Sequence, residues 1–299
     1  MSQLVSGTAQ PYLTTYARGL VPNMDPVINR FAPIVVTGAV RGQFKRWDDK
    51  NTLLVPDARR AVGGPRRRIE FLGSDGTYFM KSYGLEIGID DQERDGAINL
   101  EEAKTAALVA QGFQARAAAV MAVVNSRSAD ATPAWSTPTS GNPIADINTQ
   151  ILAIAQRTNQ MPTDIVFSPQ SWAWLVQHNT IADKFKTGIV NATAIQAAGL
   201  LLNPSIRISV STLAADTAKA GATKSSGFVT GNNVYIFISN DSPSLYDTSW
   251  LKTFRKDASG IEVVRMYRDE SHASDMLALD WAEDIQLVHT DGARRLTPT

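Results

Sequence analysis

The chain has 299 residues, no cysteine, and 29 basic against 29 acidic side chains. The missing cysteine excludes disulfides, thiolate metal sites and cysteine nucleophiles, and zero net charge argues against a general nucleic-acid or anionic-membrane binder. The 43% hydrophobic and 19% charged shares are those of a globular chain with material for a core.

No apolar run reads as a membrane span. The N-terminus, MSQLVSGTAQPYLTTYARGL, lacks the charged start and apolar centre of a signal peptide. Both features point to a protein made and used in a reducing cytoplasm. Residues 1–40 are punctuated by Pro11, Pro22, Pro26 and Pro33 and are weakly periodic, which predicts an extended arm ordered only by lying on something else. Residues 41–89 alternate between strand-like runs and turns. QFKRW and TYFMKSYGLEIGI flank DARRAVGGPRRRIEF, where Gly63-Gly64-Pro65 marks a loop tip, so a long two-stranded excursion is expected. Residues 99–127 predict a helix roughly 40 Å long at 1.5 Å per residue, with Asn99 as N-cap and Glu102 completing a capping box.

Residues 128–143, SADATPAWSTPTSGNP, read as a polar linker. Residues 144–160 predict an amphipathic helix with Ile144, Ile147, Ile151, Leu152 and Ile154 on one face. In MPTDIVFSPQSWAWLVQHNTIADKF a strand, DIVF, meets Ser168 as N-cap and Pro169 as first helical residue. Trp172, Leu175 and Val176 suit the buried face of that helix. A short helix over 193–201, a strand over 206–210, a loose loop AADTAKAGATKSSG and a central strand over 234–239 follow. From 250 onward antiparallel strands are expected in IEVVRMYR, DMLALDW and DIQLVHT, before a basic tail, DGARRLTPT.

Chemistry is weakly marked. Asp91, Glu93, Asp95, Asn99 and Glu102 match the spacing of a calcium loop around Gly96. Glu at the third position and a strand-like lead-in favour the plainer reading, acids stabilising a helix N-terminus through its dipole. His178 reads as a helix C-terminal cap, His272 lies in the turn-like DESHASD and His289 in a terminal strand; together they assemble no catalytic constellation. No cofactor is implied. Trp172 and Trp174 point to different helix faces and form no stacking platform; one is expected in the core and Trp174 at a contact with another subunit.

An arm, a hairpin with a basic tip, a capped long helix after the acidic GIDDQERDGAINLEEA, an α/β insert and closing strands: this order resembles the major capsid proteins of tailed bacteriophages. The same fold builds the herpesvirus capsid floor and encapsulin compartments. PTDIVFSPQSWAWLVQHNTIADKF is similar to a recurrent stretch of that family near the capsomer centre, and a short helix near NATAIQAAGLL follows in the same order. The resemblance covers essentially the whole chain. It implies an α+β fold with an N-terminal arm (1–40), an extended β-hairpin loop (41–98), a peripheral domain with a long spine helix and antiparallel strands (99–143 and 251–299), and an axial α/β domain (144–250). It implies a non-enzymatic, self-assembling late protein of the virion. Hexamers and pentamers would form an icosahedral shell in the host bacterial cytoplasm, enclosing double-stranded DNA with weak, non-specific contact. Partners would be further copies, a portal and a separate scaffolding protein, or no scaffold at all, since the spine helix begins at residue 99 and leaves no room for a fused one; no membrane is involved. Covalent linkage through Lys45, Lys50 or Lys81 is not expected.

Charge fits such a shell. Residues 41–70 carry nine basic and four acidic side chains, a net of +5, and residues 71–110 carry three basic and eight acidic, a net of −5. The basic tip, Arg59, Arg60, Arg66, Arg67 and Arg68, is therefore expected to meet an acidic patch, Asp90, Asp91, Glu93 and Asp95, on the next subunit, guiding pairing and register. The alternatives are an encapsulin-like compartment and, from a different class, a nucleic-acid-binding module using Arg59–Arg68.

Overall fold

The computed structural model describes residues 8–20, 26–48, 53, 55, 57–60, 62–66, 68, 73–94, 98–185, 190–197, 199–216, 218, 219, 221–257, 260, 261 and 263–299. After β1 (Thr8–Ala9), Pro11 opens α1 (Pro11–Leu20) and Pro26 opens α2 (Pro26–Phe31), each at a first-turn position where a missing N–H costs nothing. β2 (Ile34–Val36) follows. Within the expected extended arm, residues 11–20 and 26–31 are thus helical. Leu13 and Ala17 of α1 and Val27, Ile28 and Phe31 of α2 are buried in the chain's own core, so both helices pack on it.

β3 (Arg41–Arg46) pairs antiparallel with β4 (Ser74–Phe79). Met80 alone separates β4 from β5 (Lys81–Asp90), which leaves for another sheet, so the two-stranded excursion ends at residue 79 rather than 89. The pleat explains the departure. Leu85, Ile87 and Ile89 share one face and need a helix to cover them, while Ser82, Gly84 and Glu86 face outward.

One turn, α3 (Asp91–Arg94), leads towards α4 (Leu100–Ser126), the expected long helix. Its start differs from the capping-box reading. Asn99 sits in the left-handed region (φ 60°) with no side-chain cap bond, a conformation asparagine tolerates, and the Glu102 carboxylate accepts from the Tyr12 hydroxyl. By length and composition α4 could cross a bilayer, against the expectation that no run reaches that size. Here its Leu108, Val109, Ala117, Val120, Met121 and Val124 are buried under the sheets and N-terminal helices.

The expected linker is packed: Trp135 is 1% exposed and its indole N–H donates to Asp146 at 2.9 Å. α5 (Pro143–Thr158) is capped by Asn142, whose side chain accepts from Ala145 N, and buries Ile144, Ile147, Ile151 and Ile154. Leu152, assigned to that face, is 46% exposed. β6 (Asp164–Phe167) then meets α6 (Pro169–Gln177), with Ser168 as N-cap accepting from Ser171 N at 3.1 Å. α7 (Asn179–Ala182), α8 (Ala192–Ala197) and β7 (Arg207–Val210) follow. The expected loose loop is in part a hairpin, β8 (Ala214–Asp216) with β9 (Ser226–Phe228), in which the Asp216 carboxylate accepts from Ala218 N and Ser225 N. β10 (Val234–Phe237) is buried throughout. β11 (Leu251–Arg255), β12 (Val263–Asp269), β13 (Ser274–Leu287) and β14 (Ala293–Leu296) complete the chain. The two strands expected in 275–290 are the single β13, and His289 lies beyond its end rather than in a strand.

Among the described residues, the larger sheet has the order β1-β12-β13-β11-β2 with β5 also on β13. Glu283 faces Lys81 of β5 on one side and Arg255 of β11 on the other. The second sheet is β14-β10-β6-β7, antiparallel except for β6 and β7. β14, assigned from the sequence to the part that closes the peripheral domain, is thus a strand of the α/β sheet. Phe31, Met121, Val166, Tyr235, Phe237 and Trp250 form one cluster, so the N-terminal segment, α4 and both sheets share a core.

Candidate functional site

The β3–β4 connection carries the basic tip. Gly63 takes a positive φ of 76°, which glycine adopts without a Cβ penalty, and turns the chain there. The Asp57 carboxylate accepts from Arg59 N at 3.1 Å and Arg60 Nη1 donates to Gly64 O at 3.4 Å. Arg59, Arg60, Arg66 and Arg68 are all exposed, and no carboxylate pairs with their guanidiniums among the described residues. Val55 is 89% and Val62 106% exposed. Arg67 lies outside the described residues. The tip thus presents charge and apolar surface left uncovered among the described residues.

The acidic residues expected to receive such a tip are largely engaged at home. Asp91 takes both Nη atoms of Arg268, each at 2.6 Å. That bond holds its carboxyl below the ordinary range. Lys104 does the same for Glu93, hydrogen bond first and charge second. Asp90 accepts from Gln92 N at 2.8 Å. Asp95 lies outside the described residues. Arg94 reaches Asp275 at 2.6 Å and Glu101 at 3.3 Å. Asp91, Glu93 and Glu102 are turned to Arg268, Lys104 and Tyr12, and no cluster of three or more metal-ligating side chains occurs among the described residues, outside which Asp95 of the calcium-loop spacing lies.

Trp174 is half-buried and packs, with Trp172, against the α/β core; Trp172 meets the Phe167 ring edge-on at 5.2 Å. His178 ends α6 and also caps α7: it is 1% exposed, its Nε2 faces the Ser140 carbonyl at 2.9 Å, and its Nδ1 accepts from Thr180 N. In the β12–β13 turn, Asp269, Ser271 and His272 cluster, and bonds from Ser271 and then His272 lower the Asp269 carboxyl to about 2. Serine and aspartate both meet His272 Nδ1, whereas a relay needs them on opposite ring nitrogens. Lys45 pairs with Asp75 across the hairpin at 2.6 Å, Lys81 is exposed on β5, and Lys50 lies outside the described residues.

One buried ionic cluster was not singled out from sequence. Arg255 binds Glu283 through Nε at 2.9 Å and through Nη2, and Arg116 Nε stands 3.6 Å from the same carboxylate. Arg116 Nη1 donates to Asn29 Oδ1, but its Nε and Nη2 have no hydrogen-bond partner. Burial pushes this guanidinium down to about 9. The available signal was helical spacing, which sets Arg116 one turn from Gly112 on the buried face.

No family model matches the chain, and no curated protein matches it significantly. Solved structures do. A phage-related protein of Bordetella bronchiseptica RB50 is 19% identical, covering 97% of this chain and 97% of its own, with a TM-score of 0.74. The capsid of cyanophage P-SCSP1u is 11% identical, covering 91% and 88%, at 0.58. The SrpI encapsulin of Synechococcus elongatus PCC 7942 is 9% identical, covering 99% and 89%, at 0.53. The chain therefore has the phage major-capsid fold, which the encapsulin shares, as the order of its parts implied.

Proposed function

We propose that this chain is the major capsid protein of a tailed phage, a structural protein and not an enzyme. Copies assemble as hexamers and pentamers into an icosahedral shell around double-stranded DNA, in the host bacterial cytoplasm, and remain in the virion. A portal and a separate scaffolding protein are the expected partners, and contact with DNA is weak and independent of sequence. The observation that carries this reading is the β3–β4 tip: exposed arginines with no carboxylate partner among the described residues, and exposed valines, on a chain whose net charge is zero. Apolar and charged surface of that kind gains stability when a neighbouring copy covers it. Trp174 and the Asp90–Asp95 region belong to the same proposed contact set.

The test is to express the chain with its neighbouring genes, isolate any particles and digest them with nuclease. Protected double-stranded DNA of uniform length supports the reading. A particle filled with one protein species would indicate an encapsulin-like compartment. Free monomers that bind DNA in a salt-sensitive way, and lose binding on Arg66→Ala, Arg67→Ala and Arg68→Ala together, would replace it with the nucleic-acid module.

A further inference from the structure

β2 is one edge of the larger sheet and β1 the other. Pro33 O accepts from Thr253 N at 3.0 Å and Thr37 N donates to Arg255 O at 2.8 Å, so both of these groups face β11. Residues along a strand alternate in the side to which they offer their backbone groups. The N–H and C=O of Ile34 and Val36 therefore point away from β11, and none of these four groups has a hydrogen-bond partner among the described residues. Val36 is also 54% exposed. An edge left open in this way is a template for one more strand. Beside it Asn29, Arg30, Pro33, Ile34, Asn240 and Asp241 contribute to a cavity of about 350 Å³. The charges there are already paired: Arg30 reaches Asp164 at 3.5 Å and Ser209 Oγ at 3.1 Å, and Asp241 takes Arg207. Asn29 Oδ1 accepts from Arg116 and Asn240 Oδ1 from Ser242 N. Their side-chain amide N–H groups are left as donors without a partner among the described residues.

An open edge beside a cavity whose charges are neutralised suits an uncharged extended peptide, held by main-chain bonds along the edge and by one side chain in the cavity. Residues 2–7, SQLVSG, have that chemistry: no ionisable side chain, and Leu4-Val5 for the wall formed by Pro33 and Ile34. They lie outside the described residues and run directly into β1, at the opposite edge of the same sheet. In their own copy they are badly placed to pair with β2. Four strand spacings separate the two edges, about 19 Å at about 4.8 Å each, whereas residues 1–7 fully extended span about 24 Å. Crossing the sheet would consume nearly the whole segment. We infer that residues 2–7 of one copy add as a strand to the β2 edge of the next, with Leu4 or Val5 entering the cavity. Such a contact is head-to-tail, the kind that closes into rings. The inference rests on the shell reading and adds to it a contact separate from the arginine tip.

The chain has no native cysteine, so introduced thiols report alone. Val36→Cys is placed in one preparation, and Gln3→Cys, Leu4→Cys, Val5→Cys or Ser6→Cys in others. Each pair is co-assembled and mildly oxidised; facing residues of paired strands hold their Cα atoms about 5 Å apart, within reach of a disulfide. The expected result is a mixed disulfide dimer from at least one pair, and none from Val36→Cys alone or with a Glu270→Cys partner from the β12–β13 turn. Assembled particles without any link between residue 36 and residues 3–6 would overturn the inference and leave the shell reading intact. A link formed by Val36→Cys alone would give the edge to the same edge of another copy, and would overturn it as well. Hydrogen exchange on the unmodified chain needs no substitution: the amides of Leu4, Val5, Ile34 and Val36 should slow together on assembly, and unchanged exchange at Ile34 and Val36 would contradict the inference. Failure of the unmodified chain to assemble, even with its neighbouring genes co-expressed, would remove both.

Discussion

At the scale of single residues, the sharpest predictions concern groups whose polar atoms are buried. Ser168 caps α6 with its hydroxyl wholly buried, so Ser168→Ala is expected to cost about 1 kcal/mol, measured by urea unfolding. That cap was legible, because a Ser-Pro pair before an apolar helix has few other meanings. Asn99 looked as good and is not a cap: its side chain suits the left-handed backbone equally well, and sequence does not separate the two uses. The Arg116–Glu283–Arg255 cluster holds two cations against one carboxylate. Glu283→Gln should cost about 3–5 kcal/mol by leaving both cations unpaired, whereas Arg116→Met should be neutral or stabilising. Equal losses from the two variants would contradict this account. Burial holds His289 below its ordinary value of 6.5. The unfolded chain then takes up the proton first, so the contribution is complete above about pH 6.5 and is lost as pH falls below it. His289→Gln should flatten the change in unfolding midpoint between about pH 7 and 5.5, the window in which a histidine titrates.

At the scale of elements, α4 and β13 show how packing decides what pattern leaves open. The virtual Cβ of Gly112 lies 3.3 Å from Leu279 Cδ2 and 3.8 Å from the Trp281 ring, so the glycine lets helix and sheet approach closely. Gly112→Val should cost about 1–3 kcal/mol through overpacking although valine favours a helix more than glycine does, and thermal unfolding will read the difference. The sequence identified the helix by its length and lack of proline, but not its burial, since alanines give little contrast between faces. β13 was read as two strands because Ala282-Glu283 interrupts the apolar alternation. In the fold Glu283 is an inward residue neutralised by Arg255, a long-range partner that no local pattern announces. The N-terminal segment was misread for a related reason: prolines that look like breaks are helix openers at Pro11 and Pro26.

At the scale of the whole molecule, the order of the elements pointed to the capsid fold that the solved structures share. Residues 293–296 return to the α/β sheet, and α1 and α2 pack into cores shared with α4 and the later strands, so distant stretches of chain are joined. The proposed contacts between copies follow a different logic, because they would depend on surface left unpaired among the described residues. The arginine tip was visible in sequence as a charge run, whereas the absence of carboxylate partners for it among the described residues, and the prior engagement of Asp91 and Glu93, required the fold. The account's central claim is that this chain associates with its own copies through that tip. The most direct test is light scattering with electron microscopy on the purified chain and on a variant carrying Arg59→Ala, Arg60→Ala, Arg66→Ala and Arg68→Ala, at low and high salt. The account predicts closed particles, capsomers or tubes from the native chain, and folded, unassembled protein from the variant. A native chain that stays monomeric under every condition, even with its neighbouring genes co-expressed, or a variant that assembles equally well, would contradict it.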